Sequence, residues 1–128
     1  MGNNYHFSLS IMHLLVIAPL FLFIGFQRTA IPDWLYIILF VLGIFILIYH
    51  GSKLTMRIKN NSGYWWVNAF HVGIVAPLLL YIGYYKKTTP RFAYELLLML
   101  GFAVIGYHLF SIVRFLEIHP DEHFLSGL

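Results

Sequence analysis

Four histidines, His13, His50, His71 and His108, lie within long apolar stretches of a 128-residue chain. Ionisable groups in such surroundings are costly and are a functional hypothesis by default. Neutral imidazole is also the usual nitrogen ligand for iron, copper and zinc. Histidines supplied in pairs by different helices can hold a b-type haem through its iron. The four therefore read as candidate ligands for haem b, or for a bare metal, in electron transfer. His50 and His108 are the preferred axial ligands, with His13 and His71 as a second pair. Gly43 and Gly101, on the same helix faces, would give a porphyrin room. The chain has no cysteine, which removes thiolate metal sites, disulfides and a CxxCH haem attachment.

The spacing of these histidines reflects a duplication. Shifted by 58 positions, the run from His13 to His50 lies over the run from His71 to His108 without a gap, with 14 identities in 38 positions. The matches include Ala18, Pro19 and Gly25 with Ala76, Pro77 and Gly83, and Pro32, Tyr36 and Gly43 with Pro90, Tyr94 and Gly101. Apolar composition alone does not supply shared histidine, proline and glycine. An internal repeat fixes the architecture before other arguments are made.

The elements that must position the histidines are four apolar blocks, from about Leu9 to Phe26, Trp34 to His50, Trp66 to Tyr84 and Phe92 to Phe115. Each approaches the ~20 residues a helix needs to cross the hydrocarbon core. Lipid forbids open sheet edges, and a chain this short lacks the strands of a closed barrel. The expected fold is all-α: a four-helix transmembrane bundle of two parallel-repeat helical hairpins, with both termini on one side. It forms a single membrane domain, 1–128, with repeat 1 over 8–58, repeat 2 over 66–116 and a short tail over 117–128. Pro32 and Pro90 are placed to open the second and fourth helices. Asn60-Asn61-Ser62-Gly63 marks the central turn, and Asn60-Asn61-Ser62 within it is a formal glycosylation sequon. Lys53, Arg57 and Lys59 extend the second helix into the headgroups. Aromatic residues at span ends, such as Trp34, Trp65 and Trp66, fit a membrane-interface belt.

The composition agrees. It is 60% hydrophobic and 10% charged, far below the quarter charged usual for soluble domains. The net charge of +3 comes from basic residues flanking apolar blocks, which points to lipid headgroups and not to nucleic acid. The expected partner is the lipid bilayer, with self-association into a homo-oligomer open and the redox partner unspecified. Arg28, Lys86, Lys87 and Arg91 on one side balance Lys53, Arg57, Lys59 and Arg114 on the other, so orientation stays open. The first residues lack the basic start of a cleavable signal. No hydrolase triad or phosphate-binding loop is present, and whether the protein is an enzyme stays open.

Folding back each hairpin brings His13 to within roughly 6 Å in depth of His50, and His71 likewise to His108, so the four imidazoles are expected in one layer. Tyr36, Gly43 and His50 are spaced by seven, as are Tyr94, Gly101 and His108, and each trio lines one helix face. In the first helix His13, Ile17, Leu20 and Ile24 form a stripe, with Ala18 and Gly25 toward the opposite side. Pro19 and Pro77 cannot donate to the carbonyls of Leu15 and Gly73, so a kink is expected at each. A ligand on the repeat axis would use equivalent residues, His50 with His108 or His13 with His71. Two off-axis sites would each use unlike ones, such as His13 with His50.

Two other readings stand beside the cofactor. In one, the chain is a non-catalytic structural component of a membrane, and the histidines only bond between helices. In the other it conducts protons or ions, with Glu95 as the acidic residue placed at a span. His119 and His123, flanking Pro120-Asp121-Glu122, suit a short tail helix more than a metal site. The motif His71-Val72-Gly73-Ile74-Val75-Ala76-Pro77-Leu78, followed by Leu100-Gly101 and Tyr107-His108, resembles small duplicated four-span membrane proteins predicted in large DNA viruses. That resemblance covers most of the chain and implies a virion or host-membrane setting.

Overall fold

The structure, a computed structural model, describes residues 2–118, with side chains over 4–117. The expected tail helix and the His119–His123 pair lie outside the described residues. Four long helices account for most of the described residues: α1, Asn4–Ala30; α2, Asp33–Lys59; α3, Trp65–Thr88; and α4, Arg91–Glu117. Each is long and apolar enough to cross a membrane. There is no strand among the described residues, and the fold is all-α with four helices, as expected.

Proline sets where the second and fourth helices begin. Pro32 takes an extended conformation, and its carbonyl accepts from the Leu35 N–H at 3.1 Å; Pro90 accepts from Ala93 at the same distance. Both prolines precede the first helical residue and do not occupy it. The connections are tighter than the apolar blocks suggest. Single 3₁₀ turns, Arg28–Ala30 and Lys86–Thr88, carry α1 and α3 almost to the next proline. Arg28 and Lys86, at corresponding repeat positions, both adopt positive φ, 53° and 51°. Such a conformation strains a residue bearing Cβ and persists only where neighbours hold it. At Lys86 the carbonyl accepts from Thr89 N–H (3.0 Å) and from the Tyr94 hydroxyl (3.2 Å). Tyr36 in turn donates to Tyr94 at 2.8 Å, and both tyrosines are fully buried.

The central turn closes by a Schellman motif. Ser62 N–H donates to Arg57 C=O (2.9 Å) and Asn61 N–H to Ile58 C=O (3.2 Å). Asn61 has φ of 51°, the left-handed state that asparagine tolerates. α2 therefore runs to Lys59, past the apolar block, as the expected extension of its basic end requires.

Prolines also reshape the middle of α1 and α3. Instead of a simple kink, each helix widens into a π turn, His13–Ile17 and His71–Val75. Ala18 N–H donates to His13 C=O and Ala76 N–H to His71 C=O, five residues back. Pro19 and Pro77 have no N–H, and their rings would crowd the carbonyls of an ordinary turn. The wider turn relieves that crowding, and such bulges are frequent at functional sites.

The chain divides into two compact units. One joins α1 up to Phe26 with α4 from Leu96; the other is Gln27–Glu95, containing α2, α3 and the first turn of α4. In the second unit Gly83 allows a close approach of α2 and α3: a Cβ there would lie 2.7 Å from Phe40 Cβ and 2.8 Å from the Tyr36 carbonyl oxygen.

Candidate histidine sites

Each unit brings two of the four histidines together. In the α2–α3 unit the His50 and His71 rings stack face to face, with centroids 4.1 Å apart and planes 11° from parallel. His71 Nδ1–H donates to the Val67 carbonyl at 2.7 Å, four residues back on its own helix. His50 Nδ1–H donates across to Asn68 Oδ1 on α3 at 2.9 Å. Asn68 is buried, and its Nδ2 has no hydrogen-bond partner among the described residues.

The α1–α4 unit repeats this arrangement with different chemistry. The His13 and His108 rings stack at 4.4 Å and 23°. His13 Nδ1–H donates to the Leu9 carbonyl at 2.7 Å. His108 Nδ1 is hydrogen-bonded to Ser10 Oγ at 3.1 Å, and both residues are buried. A backbone carbonyl can only accept, so in His13 and His71 the proton sits on Nδ1, and Nε2 is the unprotonated nitrogen of the neutral ring.

These pairs join unlike members of the two repeats. His50, expected with His108 as an axial pair, faces His71; His108 faces His13. The pairing also differs from the off-axis example of His13 with His50, because it runs between α1 and α4 and between α2 and α3. Sequence reasoning passed over Ser10 and Asn68. They lie 58 positions apart, each three residues before a repeat histidine, and that register is the signal that could have found them.

One expectation about helix faces needs correction. Ala18 and Gly25 do not lie opposite the buried stripe of α1: the buried residues after the π turn are Ala18, Phe21, Ile24 and Gly25, while Ile17 and Leu20 are half-buried. The π turn places one extra residue between hydrogen-bonded partners, which rotates everything beyond it relative to His13 by about 100°. On α2 and α4 the seven-residue spacing holds, with Tyr36, Leu39 and Gly43, and Tyr94, Leu97 and Gly101, all buried.

The two glycines on those faces receive neighbouring helices. A Cβ on Gly43 would lie 3.0 Å from Leu80 Cγ and 3.2 Å from Leu79 Cβ. On Gly101 it would lie 2.9 Å from Leu22 Cδ2 and 3.4 Å from Phe21 Cβ. Glu95 is exposed and accepts from Arg91 Nε at 2.6 Å, an i, i+4 ion pair at the start of α4. Among the described residues no three histidine, aspartate or glutamate side chains converge as a metal site.

For a haem held between two imidazoles, iron and macrocycle must lie between the ligating nitrogens. Rings in face contact at 4.1 and 4.4 Å leave no layer for a macrocycle between them. In this arrangement the histidine pairs do not fit a bis-imidazole haem.

No protein-family model, curated protein or solved structure matches this chain.

Proposed function

We propose that the chain is a small multi-pass integral membrane protein whose histidines act as two interhelical clamps. It serves as a non-catalytic structural component of a membrane, and the resemblance to viral proteins favours a virion or host membrane as its setting. One observation carries the reading: in each unit a histidine of one helix bonds a polar side chain of the other, His50 to Asn68 and His108 to Ser10. Between helices in lipid, such bonds replace the hydration that buried polar groups lose and contribute about 0.6–2 kcal/mol each. Ring stacking and the adjacent π turns then fix each imidazole in place.

The second reading is binding of haem b or a bare metal for electron transfer. It is favoured by the Nδ1–H bonds of His13 and His71 to carbonyls, because a ligating histidine characteristically donates its other nitrogen to such an acceptor. For haem, the stacked rings would have to part. Proton conduction is weakly supported, since Glu95 is engaged by Arg91 at the helix start.

An absorption spectrum of full-length protein purified from haem-replete cells, with metal analysis of the same sample, separates these readings. The clamp reading expects no Soret band and no stoichiometric metal. A Soret band or bound metal that disappears in His50→Ala or His108→Ala, in protein that remains folded, would overturn it.

A further inference from the structure

We infer that the turn between α2 and α3 carries a binding site for the phosphate of an anionic phospholipid headgroup. A groove of about 430 Å³ opens there, lined by Arg57, Asn61, Ser62 and Trp65 among others. Arg57 Nη1 donates to the Tyr64 carbonyl at 3.2 Å, which holds the guanidinium beside the groove and uses one of the five N–H donors such a group carries. The Schellman motif fixes Asn61 and Ser62. Ser62 Oγ accepts from Tyr64 N–H at 3.4 Å, leaving the hydroxyl hydrogen to donate.

Charge selects the ligand's sign. From Trp34 to Tyr94 the sequence contains no acidic residue, while Lys53, Arg57 and Lys59 lie close to this turn. The acids of the same unit, Asp33 and Glu95, lie near the other end of its helices, where they pair with Lys87 (3.7 Å) and Arg91 (2.6 Å). Within its own unit the turn therefore presents cations without carboxylates. A guanidinium with hydroxyl and amide donors suits a phosphate oxygen.

Length selects the ligand's source. α2 has 27 residues and is about 40 Å long, against a hydrocarbon core of about 30 Å. With Trp34 near one interface, the last turns of α2 lie among headgroups at the other. Trp65, about half exposed, lines the groove with the amphipathic ring that favours this depth. Acyl chains would lie along the apolar helix surfaces below. This inference rests on the membrane reading.

The test uses full-length protein reconstituted into phosphatidylcholine nanodiscs containing spin-labelled phosphatidic acid or spin-labelled phosphatidylcholine, with the protein-restricted fraction measured for each lipid. A preference for phosphatidic acid is expected, reduced about fivefold by Arg57→Gln and little changed by Lys87→Gln at the opposite end. Arg57→Lys, which keeps the charge without the planar fork, should fall between. Inserted protein without a preference, or an equal loss with Lys87→Gln, overturns the site while leaving the membrane reading intact. Displacement of the lipid by inorganic phosphate alone would assign the groove to a soluble anion and overturn the lipid assignment. Failure to insert at all would overturn the membrane reading itself.

Discussion

Gly83→Ala is expected to destabilise the protein by at least about 2 kcal/mol, the upper range for overpacking a close contact. The added methyl would meet Phe40 Cβ at 2.7 Å, Phe40 N at 2.8 Å and the Tyr36 carbonyl oxygen at 2.8 Å. Two of these three atoms belong to the α2 backbone, so no side-chain rotation relieves the overlap. The helices must separate, and small residues at membrane helix contacts exist to permit that approach. Tyr36 lies at the same contact and donates to Tyr94, so separation also strains the bond that supports the turn at Lys86. Gly73→Ala on the same helix is the control. A Cβ there has nothing within 4 Å, and the change should be neutral or stabilise by up to about 1 kcal/mol. The fraction remaining monodisperse after heating in detergent measures both.

His50→Leu is expected to cost about 1–3 kcal/mol, whereas the double variant His50→Leu, Asn68→Leu should recover most of that loss. Asn68 is buried, and its Nδ2 already lacks a partner among the described residues; removing His50 takes away the donor to Oδ1 as well. A buried amide with neither end satisfied bears its full desolvation penalty. Replacing both groups by apolar ones removes that penalty, because the surroundings no longer contain an unmatched polar atom. The same cycle at His108 and Ser10 should give a smaller coupling, since a hydroxyl is less costly to bury than an amide with two donors and a carbonyl. Denaturation of the four proteins of each cycle yields the coupling directly. Equal losses in the single and double variants would show that His50 acts through something other than Asn68.

What the sequence makes legible follows from which residues carry local physics. Four apolar blocks flanked by prolines specify four helices and their approximate ends. Tyr36, Gly43 and His50 declare a face because α2 is regular over that distance. α1 is not regular, so residue spacing does not give its faces. Pro19 announces a disturbance, but both a kink and a π turn answer the loss of an N–H, and only the π turn rotates Ala18 and Gly25 to the buried side. Helix partners are not legible either. A duplication says that His13 corresponds to His71, yet it is silent on whether α1 packs against α2 or against α4. Ser10 and Asn68 stayed hidden because they differ in type, though each occupies the same step before its histidine. Gly43 and Gly101 mark space on a helix face, but spacing does not say what occupies it, and side chains of neighbouring helices do, Leu80 at Gly43 and Leu22 at Gly101.

The clamp of His108 on Ser10 requires α1 to pair with α4 in the same chain, so that His13 meets His108. The native sequence has no cysteine, which leaves a clean background for engineered disulfides. Phe21→Cys with Gly101→Cys places two Cβ atoms about 3.4 Å apart, close to the separation a disulfide requires. Oxidation of this variant in membranes, followed by mass spectrometry of the cross-linked peptides, is expected to give a bond within one chain in high yield. Failure to cross-link, or bonds formed only between two copies, would contradict the pairing and the His108–Ser10 clamp built on it.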